Sequence, residues 1–257
     1  MDKTAETAKG LENEQIEGRN AVTEALRAGR PVDKLFLAAD GDKGLGFLHS
    51  LAREKGIAVV EVDRRKLDAM SLTHAHQGAI AVCAVQSYCS LQDILDMAKA
   101  RGEDPFVVVC DEITDGHNLG AIIRSAECAG AHGVVIPKRR SAGLTTIVNK
   151  ASAGAAEHLP VARVANLRAA LQELKDAGLW IYGTAADGSC PLWETALTGP
   201  VALVIGSEGD GMARLVRESC DFVLSLPMKG KMSSLNASVA GAIVIYEILR
   251  QRSQIGE

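Results

Sequence analysis

Apolar residues recur along this chain in two periods, and the changes of period divide it into elements. From Ile16, GRNAVTEALRAGR sets Val22, Ala25 and Leu26 on one helical face, with Gly29 as the stop. LFLA, IAVVEV and AIAVCAV are short apolar runs of the kind that form strands. GFLHSLAREKG, ending at Gly56, and RRKLDAMS fall between them as helices. Strands alternating with helices over about 75 residues predict a small α/β domain at 15–88. SLQDILDMAKARGEDP is then a helix with a polar, proline-terminated break, and 89–104 is expected to be a linker. Residues 1–14 are charged and without periodicity, and are read as a mobile tail.

The alternation resumes at Pro105, and the strands change character. FVVVCDEI, GVVIP, LWIYGTA, VALVIG and FVLSLP are continuous apolar runs, the pattern of strands buried on both faces of a parallel sheet. LGAIIRSAECAG, ANLRAALQELKDAG, MARLVRESC and SSLNASVAGAIVIYEILRQR are the covering helices. The last of these is apolar nearly all round from Val239 to Tyr246, so deep burial is expected. Five or six parallel strands between helices predict a doubly wound α/β domain at 105–257.

Composition narrows the class. The 257 residues are 47% hydrophobic and 23% charged, ordinary globular usage that excludes disorder, collagen and coiled coil for the bulk of the chain. Unbroken apolar runs such as Ala242–Tyr246 fall far short of the ~20 residues of a membrane span. The start MDKTAETAKGLENEQ has no apolar core, so a cytoplasmic protein without a signal peptide is expected. Six cysteines without CxxC or zinc-type spacing are read as small buried hydrophobes. The formal net charge is -4, with 12 basic against 13 acidic residues up to residue 90 and 16 against 19 beyond it. Contact with a nucleic acid must then rest on local patches such as Lys138-Arg139-Arg140 or Arg64-Arg65-Lys66. Such clusters also occur as plain solvated surface.

Three segments of the second domain carry more polar and glycine residues than packing needs. In CDEITDGHNLGAIIRSAECAG a strand ends at Ile113 and a helix starts near Asn118. Asn118 or Asp115 fits a simple N-cap. Arg124 lies about 140° around that helix from Leu119, off the buried stripe. Its side chain leans back toward the carboxyl end of the strand, where open α/β sheets bind ligands. In VALVIGSEGDGMARLVRESCD a strand runs into Gly206-Ser207-Glu208-Gly209-Asp210-Gly211. Its GxxGxG spacing is neither the dinucleotide fingerprint nor a P-loop, and its acids suit a ligand with cationic or hydroxyl groups. In LSLPMKGKMSSLNASVAGAIVIYE, Ser233-Ser234-Leu235-Asn236 precede the last helix, with Ser233 or Ser234 as the expected cap. No convincing metal-ligand pattern is present in Asp111, Glu112 or His117.

In this order, the three segments closely resemble the motifs of the SpoU-type RNA ribose 2′-O-methyltransferases of the SPOUT superfamily. The matching residues are Asn118-Leu119-Gly120 with Arg124, then Gly206-Ser207-Glu208-Gly209, then Leu226-Pro227 with Ser233-Ser234-Leu235-Asn236-Ala237-Ser238. THAHQGAIAV and SAGAAEHLPVARVANL extend the resemblance to roughly residues 16–252, toward the members that methylate a guanosine of 23S ribosomal RNA. The resemblance implies a trefoil-knotted C-terminal domain, a ribosomal-protein-like N-terminal RNA-binding domain and a homodimer with its site at the interface. It implies S-adenosylmethionine held at Thr184, Gly206, Leu226 and Leu235, and no metal. Arg124 is then the residue at the ribose hydroxyl, with Asn118, Glu208, Ser234 and Asn236 completing the catalytic network. An arginine, with a pKa above ~12, is better suited to stabilise a developing alkoxide than to accept a proton. Transfer RNA is the alternative substrate, and a non-catalytic RNA-binding or ribosome-assembly protein of the same fold is the alternative class.

Overall fold

The computed structural model describes residues 15–39, 43–84 and 86–254, and the expected tail at 1–14 lies outside them. The chain divides into two compact units: residues up to Ser87 with Gly143–Thr146, and Tyr88–Ala142 with the residues from Ile147 onward.

The first unit runs β1 (Gln15–Glu17), α1 (Arg19–Arg27), β2 (Val32–Ala38), α2 (Gly46–Glu54), β3 (Ala58–Val62), α3 (Arg64–Met70) and β4 (Ala79–Cys83). Its sheet is mixed, in the order β1-β4-β2-β3. β2 pairs parallel with β3, and β4 pairs antiparallel with both β1 and β2. Three residues are too short to give β1 a sequence pattern. Val22 and Leu26 from α1 meet Leu35, Leu48, Leu67 and Ile80 in the core. Glu17, closing β1, accepts bonds from Gln15 Nε2 (2.7 Å), Ser71 Oγ (2.5 Å), Leu72 N (2.6 Å), Thr73 N (3.3 Å) and Thr73 Oγ1 (2.5 Å). These fix the loop between α3 and β4, where His74 and Gln77 take left-handed φ of 55° and 49°. His76 is buried there, with Nε2 2.8 Å from Asp68 Oδ1. Partial burial by itself raises the Glu17 carboxyl, but the donors outweigh it and hold the group down at about 2.

The second unit contains α4 (Leu91–Arg101), β5 (Phe106–Cys110), α5 (Gly116–Cys128), β6 (Gly133–Pro137), α6 (Thr146–Ala151) and β7 (Val161–Val164). It continues with α7 (Leu167–Asp176), β8 (Trp180–Thr184), β9 (Cys190–Pro191), β10 (Val201–Ile205), α8 (Arg214–Arg217), β11 (Phe222–Ser225) and α9 (Ala237–Ser253). Seven strands pair in the order β7-β6-β5-β10-β8-β11-β9, all parallel. Every residue of central β5 and β10 is buried, as their unbroken apolar sequences require. Against the five or six strands expected there are seven, and the two without a run named in the sequence are β7 and β9, at the edges. An edge strand buries less, so neither needs a long apolar run.

Three expectations are corrected. Residues 89–104 are not a tether: Ser90 and Asp93 form a capping box, and Leu91 and Ile94 enter the core of the second unit. Charged neighbours hide that apolar stripe in the sequence. The final helix is not deeply buried on all sides, since Val239 and Tyr246 are half exposed, at 48% and 49%. Of the six cysteines, all unpaired, Cys83 and Cys110 are buried while Cys128 is exposed.

Arg252 locks the end of α9 to the start of the sheet, and His132 braces the start of β5. Arg252 donates to the carbonyls of Asp104 (3.0 Å), Pro105 (3.1 Å) and Gly199 (2.6 Å), with its guanidinium 5.2 Å over the Phe106 ring. His132 is buried, accepting from Phe106 N at Nδ1 (3.0 Å), with Nε2 3.0 Å from Glu103 Oε2. Burial lowers its pKa despite the carboxylate. Among the described residues no helix is long and apolar enough to cross a membrane.

Candidate active site

Asp115 ends the turn after β5 and caps α5, its Oδ1 accepting from His117 N at 3.0 Å. The helix therefore begins at Gly116, two residues before the expected start, and Asn118 sits within its first turn with its side chain released from capping. Asn118 Nδ2 donates to Glu208 Oε1 at 3.0 Å. Asn236, and neither Ser233 nor Ser234, caps α9: its Oδ1 accepts from Ser238 N (3.0 Å), Val239 N (3.2 Å) and Ser238 Oγ (2.6 Å). Its Nδ2 donates to Asn118 Oδ1 (3.0 Å) and to Glu208 Oε1. Three side chains from residues 118, 208 and 236 thus close a triangle of two amides and a carboxylate.

The loop carrying Glu208 is shaped by glycine and by a buried acid. Ser207 and Gly211 exchange backbone bonds (2.9 and 3.2 Å), and Gly211 turns the chain with φ 67°. A Cβ on Gly206 would lie 2.4 Å from the backbone of Gly211 and Met212, so only glycine closes this turn. Asp111, just past β5, is buried, donates its N–H to Ile205 O (2.8 Å) and accepts from Ala213 N at Oδ2 (2.7 Å). Burial pushes its carboxyl up; the Ala213 bond works against that shift and nearby Glu112 adds to it. Its role is to anchor the loop, which the sequence did not reveal.

A cavity of about 270 Å³ opens beside this loop at the carboxyl ends of the strands. Thr184, Gly206, Leu226 and Leu235 all line it, together with Glu208 and Ser234. Thr184 Oγ1 donates to Val204 O (3.2 Å), holding β8 against β10. Leu224, Leu226, Leu235 and Ala237 give the cavity an apolar wall, and Asp187, Glu208 and Asp210 face it against one cation, Arg217. Arg217 Nη1 pairs with Asp187 Oδ1 at 2.8 Å. Asp187 and Arg217 escaped the sequence reading; the Asp187-Gly188 turn was the one available signal. That donor set fits a ligand with a flat apolar part, hydroxyls and positive charge, and it disfavours a pyrophosphate.

Ser234 is exposed, and Arg124 is exposed about 9 Å further along α5 than Asn118. Arg124 makes no hydrogen bond or ion pair among the described residues, so it does not join the triangle. Among the described residues no group of three His, Cys, Asp or Glu side chains is arranged to hold a metal ion.

The site is thus a parallel sheet with an acidic glycine loop and a ligand-sized cavity at its carboxyl edge, where open α/β sheets bind ligands. Residues 105–246 match the SpoU rRNA methylase family, and residues 15–89 match the substrate-binding domain of RNA 2′-O ribose methyltransferases. The chain belongs to the SpoU methylase family. It is 48% identical over 247 residues to YacO of Bacillus subtilis (strain 168), assigned to the TrmH family of tRNA/rRNA methyltransferases, covering 96% of this chain and 99% of the relative. Among solved structures it is similar to the SpoU methyltransferase AviRb from Streptomyces viridochromogenes in complex with AdoMet. That similarity has a TM-score of 0.58 at 28% identity, over 98% of this chain and 95% of the other. A TrmH/SpoU tRNA modifying enzyme of A. aeolicus matches at TM-score 0.55 and 27% identity, over 65% of this chain and 84% of its own.

Proposed function

We propose that this enzyme methylates a ribose 2′-hydroxyl of structured RNA with S-adenosylmethionine, its target being a guanosine of 23S ribosomal RNA. The observation that carries this reading is the convergence of Thr184, Gly206, Leu226 and Leu235 on one cavity whose wall includes Glu208, a corner of the amide triangle. S-adenosylmethionine supplies a sulfonium-activated methyl group, and its adenine, ribose hydroxyls and positive charges fit the apolar wall and the acids of that cavity. AviRb, solved with AdoMet, supports the choice of cofactor. Two observations support ribosomal RNA: residues 105–246 match the SpoU rRNA methylase family, and the A. aeolicus tRNA modifying enzyme aligns with 65% of the chain.

In this reading, catalysis is positioning plus help for one departing proton. The guanidinium of Arg124, uncommitted to any described partner, stabilises the alkoxide that develops on the 2′-oxygen. Asn118, fixed by Glu208 and Asn236, presents its amide to the ribose. Ser234 closes the mouth of the cavity beside Leu235. The exposed apolar side chains Met232, Leu235, Val239 and Tyr246 support a homodimer that covers this end of α9. The position of β10 between β5 and β8, out of sequence order, supports a trefoil-knotted path for the C-terminal segment. A ribosomal RNA substrate fits the expected cytoplasmic location.

Labelled S-adenosylmethionine with ribosomal and transfer RNA, mapped by resistance to alkaline cleavage, tests the proposal. One protected guanosine in 23S RNA, lost in Arg124→Ala with the melting temperature unchanged, is the expected result. The loss should be on the order of 10²-fold or more. Protection only in transfer RNA overturns the substrate, and RNA binding without transfer favours a non-catalytic assembly protein.

A further inference from the structure

The chain as a whole is acidic, and one stretch is not. Residues 138–168 contain six Lys and Arg against a single Glu, leaving 22 basic against 31 acidic residues elsewhere. The stretch begins at the carboxyl end of β6, with Lys138, Arg139 and Arg140. It continues to Arg163 near the carboxyl end of β7, which pairs Pro137 with Val164. Arg163 Nη2 donates to Lys138 O (3.3 Å) and its guanidinium lies 5.1 Å from the Tyr88 ring centre, so the two strand ends are tied together.

The backbone here is held in an uncommon form. Glu112 and Arg140, neither of them glycine, take φ of 56° and 54° at the ends of neighbouring strands β5 and β6. Arg140 Nη1 meets Glu112 Oε1 at 2.9 Å across that gap. Left-handed conformations of such residues persist where the surroundings over-determine them, and they cluster at functional sites. With Arg140 engaged by Glu112, the turn presents Arg139, exposed and without a bonded partner among the described residues, beside the half-buried Lys138. In the sheet order β6-β5-β10, the turn after β6 and the Glu208 loop after β10 stand two strand spacings apart, about 10 Å. A basic patch is thereby set beside an acidic catalytic loop, at one edge of one sheet.

We propose that the turn Lys138–Arg140, braced by Glu112 and Arg163, is the phosphate-docking surface of the catalytic unit, taking the RNA backbone next to the reacting ribose. This deepens the RNA 2′-O-methyltransferase reading and rests on it. Glu208, Asp187 and Asp210 repel phosphates from the cofactor cavity, and the patch draws them to its flank. The contact is electrostatic and independent of sequence.

Phosphate contact can therefore be tested on a transcribed RNA hairpin of arbitrary sequence, by fluorescence anisotropy over a range of salt concentrations without cofactor. Each phosphate contact contributes about 0.7 to 0.9 to the slope of log affinity against log salt. The double variant Lys138→Ala/Arg139→Ala should lower that slope by about 1.6 and leave S-adenosylmethionine affinity and melting temperature as they were. Arg139→Glu, which changes the charge by the same two units at one position, should weaken binding to a similar extent. Lys99→Ala/Arg101→Ala, the same change of charge at the end of α4 that leads into the amino edge of the sheet, should leave the slope intact. A wild-type slope in the Lys138/Arg139 variant, or an equal drop in the α4 control, overturns the proposal. Methyl transfer is read separately, so an RNA-binding patch on a protein that methylates nothing would count against the enzymatic reading and not against the patch.

Discussion

Glu17 in the first unit and Glu208 in the second each tie down a loop, and they do so in opposite ways. Glu17 accepts from two hydroxyls, two backbone N–H groups and an amide, a shell that satisfies the carboxylate from within the fold. Glu208 is exposed and accepts from two carboxamides through one oxygen. The donors on Glu17 come from Gln15 within β1 and from Ser71, Leu72 and Thr73 in the loop after α3, all inside the first unit. Those on Glu208 project from the first turn of one helix and the cap of another, and the cavity lies open beside them. A saturated carboxylate makes structure; a half-used one at a cavity mouth leaves bonding capacity for a ligand. Burial alone does not separate the two, because both are near the surface.

Exchanging the fates of the two acids is the strongest test of that contrast. Glu208→Ala should lower kcat on the order of 10- to 100-fold while the melting temperature stays within about 1 °C, since its bonds are solvent-exposed. A lowered melting temperature with unchanged kcat would reverse its assignment. Glu17→Ala should destabilise the first unit by about 2 kcal/mol, a figure discounted from the full pKa shift for partial exposure, while leaving S-adenosylmethionine affinity unchanged. Urea unfolding of that variant gives the number directly. Acid sharpens the comparison by smaller increments. The folded pKa of Glu17 lies near 2, below its ordinary 4.5, so its contribution is complete above pH 4.5 and fades as the pH falls from there toward 2. His132 has a lowered pKa, so its penalty appears as the pH falls below about 6.5, where the unfolded chain takes up a proton first. Both tryptophans, Trp180 and Trp193, lie in the second unit, so their fluorescence should report acid weakening before the first unit responds. Replacement of His132 by Gln should abolish that early phase.

Much of the fold was legible because central strands must bury both faces. β5 and β10 could only be what their apolar runs implied. What escaped was made of short or divided signals. β1, β7 and β9 are edge strands of three, four and two residues, with too few side chains to show a period. The stripe of α4 was visible at Leu91, Ile94 and Ala98, yet its charged neighbours made it look like a tether. In the site, the two serines before α9 obscured the better cap, Asn236. The link from Asn118 to Glu208 spans 90 residues, and no local pattern encodes such a pairing. The resemblance of the motifs supplied it. Asp111 was weighed only as a metal ligand, whereas its burial and its bond to Ala213 make it a brace.

Asn236 faces two ways, with its oxygen starting the last helix and its nitrogen completing the triangle. The third corner therefore arrives only with the final elements of the chain. The helix it starts carries Val244, Ile245 and Ile248 into the core and ends on Arg252, which pins the sheet. A change at residue 236 therefore reaches the site and the closing helix together.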